Sequence, residues 1–283
     1  MANFPRSYRL RDVVLCAAAM SNWNCENRQP KSLQTTAPAE RVASDAQQNL
    51  HGPLLSLASV VGDLPHDRTA FTQGLAFWQG RLFEGTGLYG ESIVRELDPG
   101  TGHELRRAAL DGQYFGEGIT ILNGRLYQLT WREHTCLIYD VATFKRLDGL
   151  AYEGEGWGLT TDGKSLIMSD GSEWIRYRDP ASFHVTRSIR VTLAGRPVQR
   201  LNELEYIQDE IWANVWYSDM ILRISPDDGH VVAILDASKI LDRTLRSSDA
   251  DDVLNGIAFD PSSGTLLVTG KRWPAIYKVS LPQ

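Results

Sequence analysis

Phe71-Thr72-Gln73-Gly74-Leu75 opens a unit that returns down the chain with one position varied: Phe115-Gly116-Glu117-Gly118-Ile119, Gly156-Trp157-Gly158-Leu159, Leu201-Asn202-Glu203-Leu204 and Leu254-Asn255-Gly256-Ile257. Aligned on the residue after the variable one, the copies fall at Gly74, Gly118, Gly158, Glu203 and Gly256. The spacings of 44, 40, 45 and 53 residues belong to stacked or radial repeats. After each anchor comes a short apolar segment, as in Leu75-Ala76-Phe77, then a turn containing Gly, Asp or Ser and a second segment, which reads as hairpin after hairpin. A later turn keeps register: Asp98-Pro99-Gly100-Thr101-Gly102, Asp140-Val141-Ala142-Thr143, Asp179-Pro180-Ala181-Ser182 and Ser225-Pro226-Asp227-Asp228-Gly229. Asp and Ser cap such turns with their side chains, Pro presets φ and Gly supplies a positive φ. Four strands in each of five units describe an all-β, five-bladed β-propeller.

The last unit is one strand short, because after Ala275 to Val279 the chain ends at Gln283. The apolar stretch Leu54 to Leu64 is expected to pair with the last blade and close the ring, removing an edge that would invite aggregation. Residues 54–283 then form one propeller domain. Arg6, Arg9 and Arg11 ahead of the apolar run Val13 to Met20 resemble a secretory signal, so residues 1–25 are expected to be a leader and the protein to be exported, to the periplasm or beyond. Residues 26–53, polar and rich in Gln, Ser and Ala, read as a flexible spacer. A weak helical pattern over Leu235 to Leu245 suggests a short helix before the acidic stretch Ser248-Asp249-Ala250-Asp251-Asp252. No later segment is long and apolar enough to span a bilayer.

Composition narrows the function. Thirty-five acidic against 29 basic residues, a net charge of −6, argue against a nucleic-acid or anionic-membrane partner. The six histidines lack His-x-His or His-x-x-x-His spacing and the three cysteines form no Cys-x-x-Cys, so a zinc site has no support.

In a hairpin the start of one strand and the end of the next lie at the same end of the sheet. All five variable residues (Gln73, Glu117, Trp157, Asn202, Asn255) and all five second-strand ends (Gly87, Trp131, Gly171, Trp216, Lys271) should therefore meet at one mouth of the channel, with Phe71 and Phe115 beside them. One carboxylate, one ammonium, three amides and several aromatic rings converging in a cleft mark a binding or catalytic site. Trp78, Trp174 and Trp212 read instead as blade packing, and Glu205 is the rival acid to Glu117.

These motifs, with Leu129-Thr130-Trp131, Val215-Trp216 and Thr269-Gly270-Lys271-Arg272-Trp273, resemble the glutaminyl-peptide cyclotransferases of the plant and bacterial type, a propeller family unrelated in fold to the zinc-dependent animal enzymes. The resemblance spans about residues 58–281 and touches every blade. It implies a monomer that converts the N-terminal glutamine of peptides or proteins to pyroglutamate, releasing ammonia without a cofactor or metal. It also implies Glu117, Asn202 and Lys271 as catalytic residues and Phe71, Gln73, Phe115, Trp131, Trp157 and Trp216 as substrate-binding ones. The structural calcium of the plant relatives has no identifiable ligands here. Two other classes fit a propeller: a metal-dependent lactonase or hydrolase, which would need several carboxylates where this ring offers Glu117 and a repelling Lys271, and a non-enzymatic interaction propeller, which needs no aromatic pocket.

Overall fold

The computed structural model describes residues 54–56, 59–241, 245 and 249–280. The leader and spacer expected over residues 1–53 lie outside the described residues.

Five antiparallel sheets follow one another along the chain. Blade 1 runs outward from Thr72–Trp78 through Arg81–Thr86 and Ile93–Leu97 to Glu104–Ala109. Blade 2 comprises Gly116–Leu122, Arg125–Thr130, Thr135–Asp140 and Arg146–Ala151. Blade 3 comprises Leu159–Thr161, Leu166–Met168, Trp174–Arg178 and Val185–Arg190, followed by a small hairpin of Thr192–Leu193 with Arg196–Pro197. Blade 4 comprises Leu201–Ile207, Glu210–Val215, Met220–Ile224 and Val231–Asp236. Blade 5 begins with Leu254–Asp260, Thr265–Gly270 and Ala275–Ser280. The five inner strands pack in sequence and the fifth returns to the first, so the ring is closed.

The fourth strand of blade 5 comes from the N-terminal side. Ser59–Pro65 pairs antiparallel with Ala275–Ser280, from Ser59↔Ser280 to Pro65↔Ala275. The expected single closing strand is, however, divided. Leu54–Ser56 pairs in parallel with Val231–Asp236 on the outer edge of blade 4, Leu54 opposite Ile234. The upstream segment finds the neighbouring blade's open edge. The first part of the helix expected over Leu235 to Leu245 is also corrected, although Leu245 itself has 3₁₀ geometry. Leu235 completes a strand and Ile240 N–H closes a turn on the Ala237 carbonyl, while residues 242–244 lie outside the described residues. Among the described residues no helix is long and apolar enough to cross a membrane.

The hydrophobic core lies between the blades. Five clusters fill the five blade–blade interfaces, for example Ala76, Phe83, Val94, Ile119, Ile121 and Leu137 between blades 1 and 2, and Leu64, Leu75, Leu82, Ala258 and Ile276 between blades 5 and 1. Inner strands are almost wholly buried, whereas the outer strand Glu104–Ala109 alternates between half-buried and exposed, as a sheet edge with one wet face should. The anchor glycines follow from the same crowding. A Cβ on Gly74 would stand 2.5 Å from Ile119 N, and one on Gly118 2.5 Å from Leu159 N, so a side chain there would hold the inner strands apart.

In the later turns Asp98, Asp140 and Asp179 each accept backbone N–H groups on a side-chain oxygen, as the sequence suggests. The positive φ at the turn's end falls to Gly102 and Gly229 in blades 1 and 4 but to Phe144 (φ 57°) and Phe183 (φ 60°) in blades 2 and 3. Both phenyl rings are buried between blades, which offsets the backbone cost.

A buried polar cluster ties the closing strand to blade 1. His66 Nε2 donates to Glu84 Oε1 (2.9 Å) and its Nδ1 donates to the Trp273 carbonyl (2.7 Å). Thr72 Oγ1 and Arg95 also bond the Glu84 carboxylate. Both imidazole nitrogens face acceptors, so the ring is held as the imidazolium.

Candidate active site

Four of the five inner strands begin with a β-bulge, and the bulge falls on the variable residue. Register slips between Thr72 and Gly74, Gly116 and Ile119, Leu201 and Leu204, and Leu254 and Ile257. A bulge re-aims the side chain it carries. It lifts Gln73, Glu117, Asn202 and Asn255 out of the ladder at the same end of the channel. The second-strand ends meet them there: Gly87, Trp131, Trp216 and Lys271 donate their N–H groups to the carbonyls of Phe71, Phe115, Arg200 and Val253 at 2.8–2.9 Å.

The amides form a chain ending on the carboxylate. Asn255 Nδ2 donates to Gln73 Oε1 (3.2 Å) and to the Thr72 carbonyl (3.0 Å), and Gln73 Nε2 donates to Glu117 Oε1 (2.9 Å). Glu117 is 5% exposed. Burial pushes its pKa well above the usual carboxylate value; the Lys271 charge opposes this, and the charges of Glu155 and Glu133 add to it. Lys271, also buried, is lowered from its ordinary value by burial, with Glu117 acting against that shift. Its Nζ lies 4.5 Å from the Phe71 ring centre and 5.9 Å from that of Trp216, so aromatic faces supply part of its stabilisation. Asn202 Oδ1 and Trp216 Nε1 are buried and have no hydrogen-bond partner among the described residues.

Aromatic rings wall the mouth in two arcs. Phe115 meets Phe71 edge-on (6.2 Å between centroids), Tyr89 edge-on (5.4 Å) and Trp131 at a tilt (5.5 Å). Trp157 meets Trp216 edge-on (5.3 Å), and Trp216 stacks on Tyr217 at 4.1 Å. The glycines at two second-strand ends make room for these rings. A Cβ on Gly87 would lie 2.4 Å from the Phe115 ring, and one on Gly171 2.7 Å from Trp157.

Every residue expected at the mouth has a place in this arrangement, but the sequence reading missed several others. Glu155 Oε2 accepts both indole N–H groups, Trp131 Nε1 at 2.7 Å and Trp157 Nε1 at 3.1 Å. Its signal was available: Glu155 precedes its variable residue by two, the register of Phe71 and Phe115. Tyr89 and Tyr217 donate their hydroxyls to Glu133 and Asp251 at 2.8 and 2.6 Å, extending the aromatic wall outward. Asp251 belongs to the acidic stretch Ser248-Asp249-Ala250-Asp251-Asp252, which the repeat register does not assign to the mouth.

The rival acid stands elsewhere. Glu205 lies three residues beyond Asn202 along the inner strand, where its carboxylate accepts Phe259 N–H and Thr160 Oγ1–H at 3.2 Å each, with its pKa pushed up to about 8 by burial. Glu203, at the anchor position that is glycine elsewhere, spans the channel to accept Leu75 N–H (3.2 Å) and Ile257 N–H (2.8 Å). Both tie inner strands together. Trp212 and Trp78 pack between blades, whereas Trp174, expected to do the same, is 38% exposed. Among the described residues no three His, Cys, Asp or Glu side chains stand close enough together to hold a metal ion.

A closed propeller that gathers a buried acid and a buried amine at one mouth has the inventory of an enzyme site rather than of a bare docking surface. Comparison narrows the class. A family model described as glutamine cyclotransferase matches residues 33–281. A glutaminyl-peptide cyclotransferase of Arabidopsis thaliana is 46% identical over 227 residues, which cover 79% of this chain and 71% of the relative. The crystal structure of Myxococcus xanthus glutaminyl cyclase superposes with a TM-score of 0.76 at 36% identity, covering 82% of this chain and 98% of that one. The chain belongs to the glutamine cyclotransferase family.

Proposed function

We infer that the chain is a glutaminyl-peptide cyclotransferase, closing the N-terminal glutamine of peptides or proteins to pyroglutamate with release of ammonia. The observation that carries the chemistry is Glu117, buried, held by Gln73 and raised in pKa by burial. The substrate's α-ammonium has an unperturbed pKa of about 7.7 to 8.0 and must lose a proton before its nitrogen can attack. An ordinary carboxylate is too weak a base for that transfer. Burial raises the basicity of Glu117 toward that of the amine and makes the transfer less unfavourable.

The neutral amine then attacks the side-chain carbonyl carbon of the same residue, forming the C–N bond of a five-membered ring and placing negative charge on the former amide oxygen. Lys271 and the amide of Asn202 are the groups assigned to that charge. Glu117 returns its proton to the departing nitrogen, the old C–N bond breaks and ammonia leaves, while the attacking nitrogen gives up its second proton to the freed carboxylate, leaving the neutral lactam. The nucleophile is the substrate's own. Trp131, Trp157 and Trp216, with Phe71 and Phe115, are assigned to holding the flat carboxamide and excluding water, so that closure outruns hydrolysis.

We further propose action as a monomer without a metal, residues 54–283 as the catalytic domain, residues 26–53 as a spacer and residues 1–25 as an export leader. Ammonia release from Gln-peptides, Glu-peptides and N-acetyl-Gln-peptides, each with and without prolonged EDTA, tests the reading. Only the free-amine Gln-peptides should react quickly, with or without chelator. Equal rates on acetylated peptides would rule out the amine as nucleophile, and activity lost to chelator and restored by Zn²⁺ would rule out a metal-free reaction.

A further inference from the structure

Glu155 lies in the loop between blades 2 and 3 and takes no part in the proton transfers described above. Its contacts are those of a clamp. Oε2 accepts the N–H groups of two indoles from different blades, and Oε1 accepts Arg132 Nε–H at 2.9 Å. Arg132 lies over the face of Trp131, 3.7 Å from the ring centre, so that indole is held on its face by a guanidinium and at its nitrogen by a carboxylate. Trp131 continues through Phe115 to Tyr89, and Trp157 through Trp216 to Tyr217. The two aromatic arcs therefore meet at one oxygen atom.

We propose that Glu155 is the positioning residue of this pocket: a single carboxylate oxygen fixes both indole walls where they receive the substrate's glutaminyl group. The chemistry calls for a carboxylate, since three donors converge on it and only an acceptor at both ends satisfies them. A glutamine would satisfy the indoles with its oxygen and turn its NH₂ against Arg132. The charge has a second consequence. Glu155 and Glu133 raise the proton affinity of Glu117, while Lys271 on blade 5 lowers it; Tyr89 and Tyr152 also feel the Glu117 charge. Removing the Glu155 charge therefore lowers the Glu117 pKa.

This inference rests on the cyclotransferase reading, and its test separates the two. Glu155→Ala, Glu155→Gln and the control Glu153→Gln, an exposed neighbour in the same loop, are compared with the unaltered protein. Thermal unfolding, indole emission without substrate, and kcat and KM across pH on a Gln-peptide are measured. In Glu155→Ala, KM is expected to rise about tenfold or more with a smaller change in kcat, the signature of lost binding rather than lost chemistry. Glu155→Gln should recover part of the KM effect. In both variants the acid limb of kcat/KM, corrected for the substrate amine, should move to lower pH, and indole emission should change in the free protein. Glu153→Gln should change none of these. Unchanged KM, limb and emission in a folded Glu155→Ala, or an equal effect in Glu153→Gln, would overturn the proposal. If Glu155→Ala fails to fold, Glu155→Gln carries the test alone on KM and the limb. If the unaltered protein releases no ammonia, the functional reading falls, and the emission change still decides whether Glu155 holds the indoles.

Discussion

Glu117 is poised between opposing charges, and its neighbours fix the direction in which each substitution moves it. Lys271 favours the ionised form against burial. Replacing Lys271 by Met removes that support, so the Glu117 pKa rises further and less enzyme carries the base near neutral pH. The acid limb of kcat/KM should accordingly move to higher pH, opposite to Glu155→Gln, and a pH profile of the two variants side by side checks the sign. A second residue-scale expectation concerns space. Gly87→Ala places a methyl 2.4 Å from the Phe115 ring and 3.1 Å from Gln73 Cγ, so the ring must shift. KM should rise by about tenfold, a loss of about 1.4 kcal/mol, and the melting temperature should fall by the few degrees that an overpacking cost of about 1–3 kcal/mol implies. Much of this site is legible in sequence because the repeat register alone selects Gln73, Glu117, Asn202 and Lys271. The hydrogen bonds are not legible. They depend on where a bulge points each side chain, and neither periodicity nor residue type shows that Glu155 reaches two indoles or that Asn255 orients Gln73.

Among the elements, the closing strand Ser59–Pro65 and the buried cluster that follows it decide whether the ring holds. Starting the chain at Pro53 keeps this strand, whereas starting it at His66 strips blade 5 of its outer strand and bares the edge of Ala275–Ser280. The shorter form should melt at a clearly lower temperature and associate with rising concentration; equal melting temperatures would contradict the strand's role. The cluster adds a pH signature. For His66, burial alone would lower the pKa, but the Glu84 carboxylate and the Trp273 carbonyl raise it above 6.5. Its contribution to stability is complete below 6.5 and is lost as pH climbs through the raised value. Glu84 is the reverse case: burial would raise it, yet His66, Arg95 and Thr72 hold it at about 2, so its contribution is present above 4.5 and fades between 4.5 and about 2. Urea midpoints should therefore form a plateau between those limits, and Glu84→Gln should lower and flatten the profile. A continuous apolar run from Leu54 to Leu64 suggests one strand in sequence. Its division between blades 5 and 4 depends on which open sheet edges the closed ring presents, which the run itself does not encode.

For the whole molecule, the repeat is visible because closing five blades around a narrow channel imposes the same backbone approach at Gly74, Gly118 and Gly158, where a Cβ would strike the next blade. Glu203 breaks the glycine pattern and in exchange cross-links blades 4, 1 and 5 through Leu75 and Ile257. The inner strands thus deliver one acid, Glu117, to the mouth and keep two others, Glu203 and Glu205, engaged with neighbouring strands below it. This division of labour is the central claim, and kcat of Glu117→Gln beside Glu205→Gln tests it most directly. Glu117→Gln preserves shape while removing the base, so kcat on a Gln-peptide should fall by roughly 10² to 10⁴ with thermal stability nearly unchanged, and Glu205→Gln should cost far less activity. A Glu117→Gln enzyme with near-normal kcat beside a dead Glu205→Gln enzyme would contradict the account and move the proton transfer to Glu205.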